Sequence, residues 1–261
     1  MKSEWLSEIW RYRELLYFLA WRDVKVRYKQ AALGVLWAVI QPLLTMLIFS
    51  LFFGRLAGIP SDGIPYPLFS YCALVPWIYF SVTLGQSANS LLSNSNLITK
   101  VYFPRVLLPA SSALSGLLDF LVGALLLVGL MAYYRVRPSW GLLLFPVMIV
   151  VLVLFTLGIS MLFAAMNVRF RDVKYAIPFL IQIWLFVTPI IYPINFVSPR
   201  LRVLLALNPL SGIIDGFRAC IFPQRKLDLS LMGVSLAITV AVFFVGVIFF
   251  RRTERTFADI I

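Results

Sequence analysis

Charged residues divide this chain into long intervals that carry no charge. None lies between Lys29 and Arg55, Asp62 and Lys100, Arg137 and Arg169, Lys174 and Arg200, or Asp228 and Arg251. The interval from Arg105 to Arg135 holds a single one, Asp119. A helix crossing the ~30 Å hydrocarbon layer of a bilayer uses roughly 20 mostly apolar residues, and each interval has room for one. The pattern predicts an all-α, polytopic membrane protein with six transmembrane helices, at about 31–53, 66–92, 106–133, 141–166, 176–193 and 230–250. Together they make a transmembrane domain over 31–261, preceded by an amphipathic interface segment over 1–30.

In that first segment Trp5, Ile9, Tyr12, Leu16 and Leu19 recur at spacings of four and three, while Glu4, Ser7, Arg11 and Glu14 fall opposite. Such a helix is expected to lie in the membrane interface, with Arg22, Lys25, Arg27 and Lys29 following at headgroup level and Asp23 spaced to pair with Arg27. Between the last two spans, Val203–Ile214 and Gly216–Phe222 are largely apolar but are interrupted by Asn208, Pro209, Asp215 and Arg218. Each piece is too short to cross, which predicts short re-entrant external helices. Pro178, Pro189 and Pro193 argue that the fifth span is no straight rod against lipid but packs inside the bundle or borders a cavity.

Composition agrees with this reading. The chain has 261 residues, 61% hydrophobic and 13% charged. Ordinary soluble domains are nearer half apolar and a quarter charged, so water is not the solvent of this surface. The formal charge of +12 sets the orientation instead of signalling nucleic acid. Fifteen of the 23 lysines and arginines fall on the side that carries both termini, which makes that side cytoplasmic. Five basic residues between Arg200 and Lys226 run against the trend without reversing it. Charged residues persist to Lys29, so no cleaved signal peptide is expected.

Much catalytic chemistry is absent from the sequence. There is no histidine, which removes His-based triads and most zinc sites, and no metal site is expected. Cys72 and Cys220 are too few for a disulfide framework and are expected as free thiols. No Gly-x-x-x-x-Gly-Lys-[Ser/Thr] phosphate loop occurs, so ATP is not expected to bind here. Asp119 is the lone acid deep in a span; proton-coupled carriers rely on relays of such groups. It is expected to face the bundle interior and to accept hydrogen bonds from a neighbouring helix.

An ordered set of short motifs points further. Arg22-Asp23 and Arg27-Tyr28 precede Leu33-Gly34-Val35-Leu36-Trp37 and Gln41-Pro42-Leu43. Asn96-Leu97-Ile98-Thr99-Lys100-Val101-Tyr102-Phe103-Pro104-Arg105 and Leu108-Pro109 separate spans two and three. Asn167-Val168-Arg169-Phe170-Arg171-Asp172 follows span four, Thr188-Pro189-Ile190-Ile191-Tyr192-Pro193 ends span five, and Asn208-Pro209 comes last. Over residues 10–255 this series resembles the ABC-2 type permease family, in particular its exporters of O-antigen, teichoic acid and related polysaccharides.

The resemblance implies a homodimer with the translocation path between its copies, working with two copies of a separate ATPase that holds ATP and Mg. The chain itself would be a non-enzymatic transport subunit with no cofactor of its own. Its substrate would be a lipid-linked, O-antigen-like polysaccharide crossing the inner (plasma) membrane, as in lipopolysaccharide biosynthesis. Residues 96–105 resemble the segment that docks on the ATPase: Asn96, Leu97, Ile98, Thr99, Lys100, Val101, Tyr102, Phe103 and Arg105, with Asn94 or Asn96 as a cap. Arg22, Lys25, Arg27 and Lys29 are candidates for a lipid phosphate, since guanidinium groups suit phosphate bidentately. Trp37, Phe49, Phe52, Phe53, Gln182, Trp184, Phe186 and Tyr192 are candidates for a channel wall that meets sugar rings and hydroxyls. The alternatives are a permease for drugs or small lipids, and a secondary transporter.

Overall fold

The computed structural model describes residues 7, 8, 10–29, 34–170, 172–254 and 257. Glu4, Trp5, Ile9, Leu33 and Arg171 of the expectations above lie outside the described residues. Described secondary structure is helical, without a strand. In a lipid solvent a helix satisfies its own backbone donors and acceptors.

Helix α1 covers Arg13–Lys29, α2 Trp37–Phe49, α3 Tyr66–Ser93, α4 Ser95–Lys100, α5 Leu107–Tyr133 and α6 Phe145–Arg169. They are followed by α7 Val173–Val187, α8 Pro199–Ala206, α9 Pro209–Ile221 and α10 Leu229–Glu254. Among the described residues five helical stretches are long and apolar enough to cross: Trp37–Leu56, Tyr66–Ser93, Leu107–Tyr133, Trp140–Arg169 and Leu229–Glu254. The first extends α2 through a π turn at Ser50–Leu56.

The fifth expected span is corrected. Instead of 176–193, α7 ends at Val187 after 15 residues, about 22 Å of helix. Thr188 is extended (φ −97°, ψ 135°) because Pro189 disfavours a helical residue before it. Beyond it, α8 and α9 meet at 99° and cannot form one straight span. Asn208 caps α9, its Oδ1 accepting from the Leu210 N–H at 3.2 Å, with Pro209 in the first turn. Every residue of α9 is buried, packed against α3, α6 and α10. Asp228 caps α10, accepting from the N–H groups of Ser230 and Leu231 at 3.1 Å. The Leu231 bond first, and then Arg202, hold its carboxyl below the usual range.

The core belongs to α3, which is 78% buried over its most apolar window and touches α2, α5, α6, α7 and α9. By contrast the Trp37–Leu56 stretch is 11% buried over its most apolar window, and Trp37, Leu44, Leu47, Ile48, Leu51 and Phe52 are exposed. The α6–α10 pair packs closest, where Gly158 and Gly246 meet backbone to backbone. Cys72 and Cys220 are both buried free thiols.

The interface helix is corrected too. Tyr12, Leu16 and Leu19 turn inward onto a cluster with Leu91, Ile98, Leu107 and Phe250. Among the described residues Trp10, Tyr17, Phe18, Trp21 and Val26 are the large exposed apolar side chains of this segment. The predicted stripe was therefore the protein-facing one, and α1 is apolar on a second side as well.

Candidate functional site

Helix α1 runs alongside α5 in the same direction. Ser111 donates to Asp23 at 3.0 Å. One turn later Arg27 reaches Ser115 Oγ at 3.4 Å and pairs with Asp119. Tyr28 donates to the other oxygen of Asp119, and Arg27 also donates to Gln86 of α3. Asp119 lies twelve residues after Leu107, about 18 Å along α5 at 1.5 Å per residue. A charge at such depth needs a partner, and α1 supplies both.

The basic run is thereby divided. Arg27 turns to Asp119, and the anticipated Asp23–Arg27 pair does not form. Asp23 accepts instead from Arg22 at 2.9 Å and from Ser111. Arg22 also donates to Asn94 Oδ1 at 2.9 Å. Lys25 lies 5.7 Å from the centre of the Trp21 ring, and both Lys25 and Lys29 are exposed.

Two cavities adjoin this ion pair. A polar groove of about 580 Å³ lies between α1, α3 and α5, lined by Arg22, Arg27, Asn89, Ser90, Asn94 and Ser111 among others. Deeper between α2, α3 and α5 is a mostly apolar cavity of about 260 Å³. Arg27 borders both.

The expected docking segment breaks from α3 at Asn94 and forms α4. Asn94 occupies the capping position, but its side chain does not cap; it donates to the Ser90 carbonyl at 2.8 Å and accepts from Arg22. Ile98 and Phe103 are buried in the cluster with Leu19 and Phe250. Asn96, Thr99, Lys100, Val101 and Tyr102 are exposed, and Leu97 is half-buried. The Arg105 backbone N–H donates to Glu254 Oε1 at 2.8 Å, and its guanidinium reaches the Glu254 carbonyl. Tyr102 donates to Glu8 at 3.3 Å, and the carboxylate raises the pKa of its phenol. The segment is thus anchored on its inner side to both ends of the chain.

The expected channel residues do not line one wall within a single copy. Trp37 and Phe52 are exposed on the α2 stretch, and Gln182 and Phe186 on α7. Phe49 and Phe53 are half-buried, edge to face at 5.5 Å. Trp184 is half-buried and packs against Phe80 and Phe155, its ring centre 5.1 and 6.1 Å from theirs. Its indole N–H donates to Asn208 at 3.0 Å. Tyr192 is half-buried and donates to the Phe186 carbonyl at 3.3 Å.

The opposite end holds residues to which the sequence reading gave no role. Asn208 donates to Thr188 Oγ1 at 2.9 Å, so Trp184, Thr188 and Asn208 form one chain of hydrogen bonds. Arg218 is fully buried, donates to the carbonyls of Pro189 and Ile190 at 2.7 and 2.8 Å, and lies 3.6 Å over Phe69. Those carbonyls lie in the turn just past the end of α7. Arg225 pairs with both Asp62 and Asp215. The motif Thr188-Pro189 was the available signal: a helix broken inside the protein needs a donor, and Arg218 is the apolar region's one cation.

Bundle, part-buried ion pair and polar groove define a polytopic helical membrane protein. The chain belongs to the ABC-2 type transporter family, which matches residues 14–222. It is 32% identical over 257 residues to the O-antigen export system permease protein RfbA of Myxococcus xanthus, covering 97% of this chain and 98% of that one. The protein of the same name from Klebsiella pneumoniae is 29% identical, with 95% of each covered. The polysialic acid transport protein KpsM of Escherichia coli is 24% identical, covering 90% of this chain and 91% of that one.

Proposed function

We propose that this chain is the membrane permease subunit of an ABC exporter for a lipid-linked, O-antigen-like polysaccharide. It works in the inner membrane as a homodimer with two copies of a separate ATPase, and both termini are cytoplasmic. ATP and Mg belong to the ATPase, and the permease catalyses no reaction itself. The observation that carries this reading is end-to-end similarity to proteins named for O-antigen export and polysialic acid transport.

The physical task explains the arrangement. A glycan cannot cross hydrocarbon unaided, because each hydroxyl would lose its water partners. The outward apolar faces of α2 and α7 need covering; a second copy would enclose a path walled by Trp37, Phe52, Gln182 and Phe186. Residues 31–261 form the transmembrane domain, with 1–30 as a cytoplasmic strap. The exposed face of Asn96, Thr99, Lys100, Val101 and Tyr102 suits an ATPase groove, while buried Ile98 and Phe103 pass displacement to α1.

In proteoliposomes with its ATPase, lipid-linked glycan is expected to stimulate ATP hydrolysis. Lys100→Glu combined with Tyr102→Ala should reduce ATPase co-purification about tenfold or more, the scale of one or two interface anchors. Full retention would overturn this docking face. Hydrolysis indifferent to glycan but stimulated by a drug or small lipid would overturn the substrate.

Reversing Lys25 and Lys29 to glutamate tests the phosphate contact, since neither is held by an ion pair among the described residues. Glycan export is expected to fall more than membrane insertion. A matched loss of both would assign these lysines to topology alone.

A further inference from the structure

The docking segment leads into α5 through a turn at residues 105–106. The N–H groups of Leu107 and Leu108 donate to the carbonyls of Pro104 and Arg105 at 3.1 Å, and Pro104 has no N–H. The Arg105 N–H turns instead to Glu254, whose Oε1 accepts it at 2.8 Å. Donors at the entry to a helix lack partners within it, and the helix dipole favours an anion beside them. The bond is returned, because the Arg105 guanidinium donates to the carbonyl of Glu254. Two residues 149 positions apart thus hold each other through backbone and side chain at once.

Apolar contact joins the same two ends. Phe257 is fully buried, edge to face with Phe250 at 5.4 Å, in the cluster that contains Ile98 and Phe103 of the docking segment. Hydrophobic contact is non-directional, so it keeps the segment against α10 without setting its angle. The two hydrogen bonds, with their narrower geometry, set it. Helix α10 then runs far from this end. Its 26 residues span about 39 Å and pack most extensively on α6. Toward its start it approaches α9 so closely that a Cβ on Gly212 would collide with Ser235 Oγ.

We propose that Glu254 is the positioning residue of the docking segment. It fixes the segment's exit to α10, so that a segment displaced by the ATPase carries the α10–α6 pair with it. Arg105 is thereby assigned to this clamp instead of the ATPase surface. The role deepens the exporter reading and rests on it for what moves the segment; the clamp itself does not.

Hydrogen exchange on the full permease in nanodiscs reads the clamp directly. In Glu254→Ala the peptide carrying the Arg105 amide is expected to exchange about tenfold faster, the scale of one lost hydrogen bond to a charged group. Peptides from the middle of α10 should keep their wild-type rates. Glu254→Gln retains an acceptor oxygen and should restore slow exchange. In proteoliposomes with the ATPase, Glu254→Ala is expected to retain ATPase co-purification and to lose most of the glycan stimulation of hydrolysis, which Glu254→Gln should recover. A residue that only stabilised the fold would lower both together. Should Glu254→Ala not accumulate, Glu254→Asp, one methylene shorter, gives the same two readings.

Unchanged exchange at Arg105 in the shortened variant would overturn the clamp, and faster exchange with full glycan stimulation would overturn its part in coupling. Loss of ATPase co-purification in step with stimulation would also overturn the positioning role. Exchange is read without ATPase or glycan. A failure there leaves the exporter reading standing, whereas faster exchange in Glu254→Ala together with wild-type hydrolysis indifferent to glycan removes that reading and keeps the clamp.

Discussion

Asp119→Ala is expected to destabilise the protein by about 3 kcal/mol, the low end of the range for breaking a buried ion pair. The low end applies because both side chains keep about a fifth of their surface, 21% for Arg27 and 20% for Asp119. Removing the carboxylate strands the Arg27 guanidinium deep in the bundle and leaves the Tyr28 hydroxyl without its acceptor. Arg27→Ala should cost a similar amount by stranding Asp119. The double variant Arg27→Ala/Asp119→Ala should cost clearly less than the sum, because neither charge is then alone. Thermal unfolding of the four proteins in one detergent measures this. Strictly additive losses would mean that the pair does not couple and that α1 is held to α5 by apolar contact alone.

Gly246→Leu and Gly158→Leu are expected to be more damaging still, preventing accumulation of folded protein. A Cβ on Gly158 would lie 2.7 Å from the Phe243 Cα and 2.9 Å from its nitrogen, and one on Gly246 would collide with the Gly158 carbonyl. Backbone cannot swing aside as a side chain can, so α6 and α10 would have to separate. Overpacking costs typically 1–3 kcal/mol and occasionally more. A cost above that range is expected here because α10 has its most extensive packing on α6, and close approach through small residues holds membrane helices together. Gly129→Leu is the control, since nothing lies within 4 Å of a Cβ there. Equal yields of the three variants, by fluorescence-detected gel filtration, would show that the α6–α10 approach is not needed for folding.

Several features of the site were legible without coordinates. Asp119 had to be partnered, because a lone carboxylate in hydrocarbon is costly, and a neighbouring helix was the available source. The partner was not legible. Local spacing offered Arg27 to Asp23 at i,i+4, yet Asp23 is satisfied by Arg22 and Ser111, and the deeper carboxylate takes Arg27. The same limit applied to Trp184: an aromatic residue on a span looks alike whether it faces a channel or Asn208, which is 24 positions away. Asn94 was a reasonable cap by residue type, but its amide is drawn back to Ser90 and out to Arg22.

From the amino-acid order alone came the solvent, the helical class, the break at Asn208-Pro209, and the crowding of charge on one side. Each follows from local quantities: apolar length against bilayer thickness, the missing N–H of proline, and the count of lysine and arginine. The tertiary structure alone decided which side of α1 meets protein, where Arg27 and Arg218 find their acceptors, and how two cavities of opposite polarity come to share a wall. Those outcomes depend on side chains such as Arg27 and Asp119, 92 positions apart, meeting in low dielectric, where an unpaired polar group is too costly to leave and the nearest partner in space prevails over the nearest in sequence.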